Sequence, residues 1–360
     1  MKLLLAELWP EKGHFRLLIE LTDMLSSVHN VSTIIPNGST ENNLNHCIIA
    51  PYGYYSKMNK NRIVDFVHSL FYMHKVAKYI KSIDEIKNFD YIILITYNEV
   101  GYFLFKKIFK EKVILMNHNN IDFISKSTIK KALFMSFAKK TKHIVQTKFI
   151  FDYLNKKISV NRENIAIWLH PLNYNENVLT KPIYDCVGIS NSNDDAIIKE
   201  ILELEKETGF LKKDNLKILL RSRKYSYDDG YLKIINGFLP DNEYNFYINS
   251  SSTIFLPFPK TFKYRMSGTL VDAFSNRKPV ISSDTILYKN VKKVYPSIIK
   301  KYTLESFSSS IKLLKVLSYA QDIEFNRFYS MHCRQNLSKS IEAELNRLIN
   351  YSSTETYVDF

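Results

Sequence analysis

Phe255-Leu-Pro-Phe-Pro-Lys-Thr-Phe-Lys-Tyr-Arg-Met-Ser-Gly-Thr-Leu-Val-Asp-Ala-Phe-Ser-Asn-Arg-Lys-Pro-Val-Ile-Ser-Ser-Asp284 is the stretch that decides how this 360-residue chain is read. It runs from an apolar strand through a basic loop into Ser267-Gly268-Thr269, an amphipathic helix, a turn and a second apolar strand. That succession is a βαβ unit of a parallel sheet. A helix opening at Ser267-Gly268-Thr269 leaves its first N–H groups unpaired and turns its positive dipole end outward. Gly268 lets an anion come close to the backbone, and Ser267 and Thr269 add hydroxyl donors. Lys260, Lys263 and Arg265 supply charge suited to a diphosphate, and Asp272, one turn in, is placed to accept from ribose hydroxyls. A plain N-cap at Ser267 and a dipole-complementing Asp272 are the alternative reading of the same residues.

Working outward, short runs rich in Ile, Val and Leu alternate with longer amphipathic ones, as in sheets covered on both faces. Strands are predicted at Lys2–Leu8, Val31–Pro36, Cys47–Pro51, Tyr91–Thr96, Val113–Asn117, His143–Gln146 and Ile165–Trp168, with helices such as Phe15–Leu25, Ile63–Ile80 and Ile129–Ala138 between them. The Asn-rich, proline-bracketed stretch from Pro171 to Ile183 reads as a boundary. A second series follows: strand Cys186–Ile189, helix Ala196–Thr208, strand Lys217–Arg221, a helix near Tyr231–Gly237, strands Tyr244–Ile248 and Ile254–Pro257, helix Gly268–Ser275, strand Pro279–Ser282 and helix Leu304–Leu317. The expectation is an α/β protein of two doubly wound domains, 1–178 and 183–323, with a ligand at the carboxyl ends of their strands.

Composition removes several classes. Three scattered cysteines, Cys47, Cys186 and Cys333, form no metal or disulfide pattern and fit a reducing, cytoplasmic compartment. No apolar run approaches the roughly 18 residues of a membrane span, and Glu7 interrupts the only leader-like start. The first strand is followed by no GxGxxG, and no GxxxxGK[ST] occurs, which disfavours a dehydrogenase and a P-loop NTPase. No DxD pair stands at a strand end, so no metal and no other cofactor is expected, the helix dipole and Arg/Lys neutralising the leaving diphosphate. The net charge of +14 divides as +9 over residues 1–180 (24 basic, 15 acidic) and +5 over 181–360 (26 basic, 21 acidic). Its densest patch, Lys130-Lys131 through Lys139-Lys140 and Lys142 around Phe134, Met135 and Phe137, is read as a solvated face or as a contact for an anionic membrane surface or a nucleic acid, between which charge alone does not choose.

The quoted segment resembles the donor site of GT-B glycosyltransferases, especially the group with a Glu-x7-Glu motif. The matching residues are Ser267 to Ser275, then Lys278-Pro279-Val280-Ile281-Ser282-Ser283. Asp272 stands where the second glutamate, a ribose ligand, is found. Tyr264 stands in place of the first glutamate and Arg277 in place of the usual glycine. The resemblance implies two Rossmann-like domains facing each other across a cleft, a nucleotide-sugar donor held by the C-terminal domain, and a C-terminal helix, 324–350, packing back on the first domain. It assigns the donor diphosphate to Arg223, with Arg221 and Lys224 as companions, and the cleft loop after the first strand to Gly13 and His14. Base recognition is expected near Asn249–Thr253.

An acceptor hydroxyl needs a base or an orienting group. Polar residues crowd after the strand Val113–Asn117, and His118 is the first candidate, Asp122 the second; Glu99 and His14 follow, and Glu7 is read as structural. The expected partner is a glycan or lipid-linked acceptor in bacterial surface polysaccharide or glycoconjugate assembly, with no nucleic acid. Two other readings stand beside it: a nucleotide-sugar epimerase of the same fold, and a basic nucleic-acid-binding protein, against which the dispersed lysines argue.

Overall fold

A computed structural model describes residues 1–9, 15–38, 47–55, 61–109, 112–117, 120–172, 181–316 and 318–350. The chain forms two compact units, residues 1–171 with 334–360 and residues 172–333.

Unit 1 carries strands β1 (Lys2–Glu7), β2 (Asn30–Ile35), β3 (Cys47–Ile49), β4 (Tyr91–Thr96), β5 (Val113–Asn117), β6 (Lys142–Val145) and β7 (Ile165–Ile167). They are parallel in the order β3-β2-β1-β4-β5-β6-β7. Helices α1 (Phe15–Ser26), α2 (Arg62–Lys87), α3 (Glu99–Phe105), α4 (Asn120–Lys126), α5 (Thr128–Ala138) and α6 (Lys148–Tyr153) connect them. All seven strands lie where the sequence predicts them; in β1, β4 and β5 this follows because an uninterrupted apolar run fits a sheet buried on both faces.

Unit 2 carries β8 (Tyr184–Gly188), α7 (Asp195–Thr208), α8 (Phe210–Lys213), β9 (Ile218–Ser222), β10 (Tyr227–Asp228), β11 (Leu232–Asn236) and α9 (Asp241–Asn249). There follow β12 (Ser251–Leu256), α10 (Gly268–Ser275), β13 (Val280–Ser282), α11 (Ile286–Val294), β14 (Ile299–Lys301), α12 (Phe307–Lys315) and α13 (Tyr319–His332). The sheet order is β10-β11-β9-β8-β12-β13-β14. Only the β10–β11 hairpin is antiparallel among the pairs of this sheet. Without β10 this is the doubly wound order, which reverses direction between β8 and β12. One face packs Ile198, Ile201, Phe307 and Ile311 on Ile218, Leu220 and Phe255. On α10 and α13, Phe274 packs edge-to-face with Phe325 and Phe328, at 6.1 and 5.1 Å between centroids.

Two elements have the opposite type from that predicted. Tyr231–Gly237, expected as a helix, is β11: Leu232 and Ile234 are buried while Lys233 and Ile235 are less so. That is the alternation of a strand with one better-covered face, entered through the turn at Gly230, φ 88°. Tyr244–Ile248, expected as a strand from its aromatic content, is the middle of α9. Asp241 and Glu243 in its first turn favour the helix start, and tertiary context overrides aromatic β-propensity. The final amphipathic stretch is two helices, α13 and α14 (Arg334–Asn350). Leu337, Ile341, Leu345 and Leu348 of α14 share the unit 1 core with Leu18 and Leu21 of α1.

Candidate functional site

In unit 2 the carboxyl ends of β9, β8 and β12 are tied together. Gly188 closes β8; a Cβ on it would lie 2.9 Å from Leu220 Cδ2 and 3.2 Å from the Phe255 carbonyl oxygen, so a larger residue would crowd the flanking strands. Beyond it, Asn193 Nδ2 donates to Gly188 O at 2.8 Å and to Arg221 O at 2.9 Å. The Asp194 N–H reaches Pro257 O at 2.6 Å, which joins the loop after β8 to the end of β12 across the point of strand reversal.

Charge at this edge is arranged by Asp195, the first residue of α7. Its Oδ1 accepts from the Ser222 hydroxyl at 2.7 Å and the Arg223 N–H at 3.0 Å, and its Oδ2 lies 3.4 Å from Arg223 Nε. Burial opposes its charge, but those donors and the charges of Arg223 and Lys224 outweigh it and hold the carboxyl below the usual range. Arg223 is thereby aimed while its side chain stays 63% exposed. Arg221 differs: it is buried, and its guanidinium donates to the carbonyls of Gly237 and Ser190. Burial and then the adjacent Arg223 charge lower its pKa. It clamps the ends of β8, β9 and β11 and adds charge beneath the surface.

The loop into α10 is built on a stack. Phe258 and Phe262 are buried and parallel, 4.1 Å between centroids, and Arg265 lies over Phe262 at 4.0 Å. Cation–π contact fixes that guanidinium just upstream of the helix start. Ser267 caps α10, its hydroxyl accepting from the Leu270 N–H at 3.2 Å. The first turn of α10 has no acidic residue, whereas α7 opens on Asp194 and Asp195. The dipole of α10 can therefore favour a bound anion. Gly268 is exposed, and a Cβ there would meet no atom within 4 Å, so space is open above the helix start. Thr269 is largely buried, Lys263 is exposed, and Lys260 is exposed. Half-buried Asp272 accepts from the Tyr244 hydroxyl of α9 at 2.8 Å.

In unit 1 the described polar groups around the end of β5 form a hydrogen-bonded network. Tyr97 donates to Asn117 Oδ1 at 2.5 Å, and Asn120 Nδ2 reaches Tyr97 Oη at 2.8 Å. Asn117 Nδ2 meets Leu115 O at 3.1 Å and His143 Nδ1 at 3.0 Å, and His143 Nε2 meets Ala138 O at 2.9 Å. The carbonyl requires a proton on Nε2, so Nδ1 accepts and the ring is neutral. Burial lowers the His143 pKa to about 4 against the lift from Ala138 O. These groups are satisfied and structural. Asp122, in the first turn of α4, is 2% exposed, so the carboxylate faces protein. Glu99 is equally buried, 3.4 Å from Lys130, and burial raises its pKa against the pull of Lys130. Glu7 accepts from the Thr96 hydroxyl at 3.1 Å across the β1–β4 edge. Gly13, His14 and His118 lie outside the described residues.

No family model matches the sequence, and no curated protein matches it. Solved structures do. LpCGTa in complex with UDP matches with a TM-score of 0.60 at 10% identity, over 97% of this chain and 99% of that one. A glycosyltransferase from Rickettsia africae matches at 0.59 and 14% identity, over 97% and 99%. A UDP-N-acetylglucosamine 2-epimerase from Rickettsia bellii matches at 0.58 and 11% identity, over 100% of both chains. At such identities the likeness is one of fold. The fold is GT-B.

On that GT-B frame the residues singled out in the sequence separate. Arg223, Lys224, Lys263, Arg265, Ser267, Gly268 and Thr269 gather at or beside the carboxyl edge of the unit 2 sheet, with Asp272 one turn below. Arg221 belongs beneath it. Asn249–Thr253 does not belong: Ser251 begins β12, Ser250 O accepts from the Ile183 N–H at the amino edge, and Ser250, Ser251 and Thr253 are buried. A base bound at the carboxyl edge is out of their reach, one strand length away. What stands at that edge is Phe238, 72% exposed just past β11. Sequence reasoning missed it because Tyr231–Gly237 was read as a helix. It also missed Asn193, Asp195 and Tyr244, for which an Asn-Asp-Asp run at a helix start was the one available signal.

Proposed function

We propose that the chain is a glycosyltransferase that takes a nucleotide sugar at the carboxyl edge of unit 2 and transfers the sugar to an acceptor hydroxyl. The observation that carries this reading is α10: an acid-free, open helix start capped by Ser267, approached by Arg265 and Lys263, with the Asp272 carboxylate one turn in. The diphosphate would lie on the N–H groups of Gly268 and Thr269 and against Arg223, about two strand spacings or roughly 10 Å away across the edge. Asp272, oriented by Tyr244, would accept from the ribose, and Phe238 would offer its ring to the base.

In transfer, the acceptor oxygen bonds to the anomeric carbon as the bond from that carbon to the diphosphate oxygen breaks. The acceptor proton passes to a base, for which His118 is the first candidate; Asp122, the second, is buried against protein and would have to be uncovered to serve. Charge growing on the departing nucleoside diphosphate is met by the α10 dipole and the basic groups, without need of a metal. The acceptor is a glycan or lipid-linked saccharide of surface polysaccharide or glycoconjugate assembly, received by the basic unit 1 on the cytoplasmic side.

Thermal-shift titration with UDP, GDP, CMP, ADP and their sugars, with and without EDTA, tests the donor site. One nucleotide should stabilise the protein, and Asp272→Ala and Arg223→Ala should each weaken its binding by roughly tenfold or more, the worth of a charge-assisted hydrogen bond. No shift with any nucleotide would sink the reading. The likeness to an epimerase gives a second reading of the same donor site. An epimerase converts the nucleotide sugar with no acceptor present, so the sugar recovered after incubation with enzyme alone separates the two.

A further inference from the structure

Helix α2 is 26 residues long, and its two halves are covered differently. From Met73 onward, Met73, Val76, Ala77 and Ile80 are buried. In the first half Ile63, Phe66, Val67, Leu70 and Phe71 follow the i, i+3, i+4, i+7, i+8 spacing of a single helix side. That stripe is open: Ile63 is 75% exposed, Phe66 45%, Val67 42% and Phe71 72%. It runs on into His74, whose ring lies 5.1 Å from Phe105 of α3, and then into Lys78. Beside α2, α3 carries Leu104, 50% exposed, and packs in turn on α5, which carries Ile129, 75% exposed.

The basic patch expected at Lys130–Lys142 is redistributed in the fold. Phe134 and Phe137 are buried, Lys130 is paired with Glu99, and Lys142 donates to the Leu348 and Ile349 carbonyls of α14. Lys131, Lys139 and Lys140 are left, joined by Lys75, Lys78 and Lys107 from the neighbouring helices. Among the described residues, carboxylates do not offset them. Asp65 accepts from Tyr55, Glu99 and Asp122 are buried, and Asp84 and Glu85 lie at the far end of α2 near Lys112 and Lys81. An exposed apolar stripe bordered by lysines is the composition of an interfacial helix.

We propose that this face of unit 1 docks on an anionic phospholipid bilayer, with the first turns of α2 inserted among the headgroups and the lysines against the lipid charge. A second copy of this chain fits less well, because an isologous contact would set lysine against lysine on a protein of net charge +14. A nucleic acid would use the lysines but leave Ile63, Phe66 and Phe71 in water. The inference is independent of the donor site in unit 2.

Co-sedimentation of the full chain with phosphatidylcholine vesicles, with and without phosphatidylglycerol, tests it. Binding is expected to the anionic vesicles only, and to fall with salt. Phe66→Ser with Phe71→Ser should weaken it by roughly tenfold or more, and Lys78→Gln and Lys131→Gln by about fivefold each. Unchanged binding of the serine variant, with an unchanged melting temperature, would overturn the insertion. Equal binding to neutral vesicles would overturn the electrostatic part. A dimer that the serine variant dissociates, or retention on heparin with no vesicle binding, would assign the face to another partner. The nucleotide shift should persist in every variant, so failure here leaves the transferase reading intact, and the converse holds.

Discussion

Asp195 grips Arg223 from two sides, its Oδ1 accepting the backbone N–H at 3.0 Å and its Oδ2 lying 3.4 Å from Nε. One buried carboxylate thereby fixes both where β9 ends and where its exposed guanidinium points. The same oxygen takes the Ser222 hydroxyl, which in turn accepts the N–H groups of Lys224 and Tyr225, each at 3.0 Å. Asp195→Asn keeps the shape but puts an amide where donors converge. It should cost about 1–3 kcal/mol of stability and weaken nucleotide binding as far as Arg223→Ala does. Retained affinity in Asp195→Asn, measured by calorimetry, would show that Arg223 needs no such aiming. Because the Asp195 pKa is depressed, its stabilisation is present above the unfolded carboxylate pKa near 3.9 and fades as pH falls below it.

Arg277 follows the C-terminus of α10 with φ 53°, in the left-handed region where glycine is favoured. Its side chain offsets part of that strain: it pairs with Asp322, donates to Asn326 at 2.9 Å and lies 5.5 Å from the Phe325 ring. Arg277→Gly removes both strain and contacts and should change stability by less than about 1 kcal/mol. Arg277→Ala keeps the strain and loses the contacts, and should cost about 1–2 kcal/mol. Denaturant melts of the two variants compare them directly, and equal losses would mean the backbone conformation costs nothing.

That position also shows what was legible in the sequence. The demand for a left-handed residue before Lys278-Pro279 could be inferred from the resemblance even though glycine is absent, because the turn and not the residue belongs to the fold. Central strands were legible for a similar reason: β1, β4, β5 and β9 each carry an unbroken, buried apolar run (Leu3 to Ala6, Ile92 to Ile95, Val113 to Met116 and Ile218 to Leu220), which one burial pattern explains. β11 and α9 were not, since an edge strand with mixed burial and a helix rich in Tyr, Phe and Asn carry conflicting local signals. The helix start at Ser267 was legible, being a local motif. Its partners were not, because Tyr244 lies 28 residues from Asp272 and Asp195 also 28 from Arg223, and only the sheet brings them together.

His143 makes unit 1 sensitive to acid. The ring is fully buried and neutral, bonded to Asn117 and the Ala138 carbonyl, and its pKa is lowered to about 4. Unfolded, it titrates near 6.5. The stability tied to the neutral ring is therefore complete above pH 6.5 and is lost as pH falls toward 4, by up to about 3 kcal/mol at roughly 1.4 kcal/mol per unit. Melting followed across this range should show that slope, and His143→Gln should flatten it while lowering stability at neutral pH. A slope unchanged in His143→Gln would place the acid sensitivity elsewhere, His29 being next, since burial also lowers its pKa.

Gly188 and Gly268 sit at the same edge of one sheet and predict opposite outcomes for the same substitution. At Gly188 the new methyl would lie 2.9 Å from Leu220 Cδ2 and 3.2 Å from the Phe255 carbonyl, and the backbone cannot yield without parting β8 from β12. Gly188→Ala should cost about 1–3 kcal/mol, the usual penalty of overpacking. At Gly268 the methyl meets no atom within 4 Å, and the residue is helical. Gly268→Ala should leave the fold intact or stabilise it by about 0.5–1 kcal/mol through helix propensity. It nevertheless fills the space through which an anion would reach the first N–H groups of α10, so nucleotide affinity should fall by roughly tenfold. A stable Gly268→Ala protein that binds nucleotide as well as the parent chain would remove the diphosphate from the start of α10.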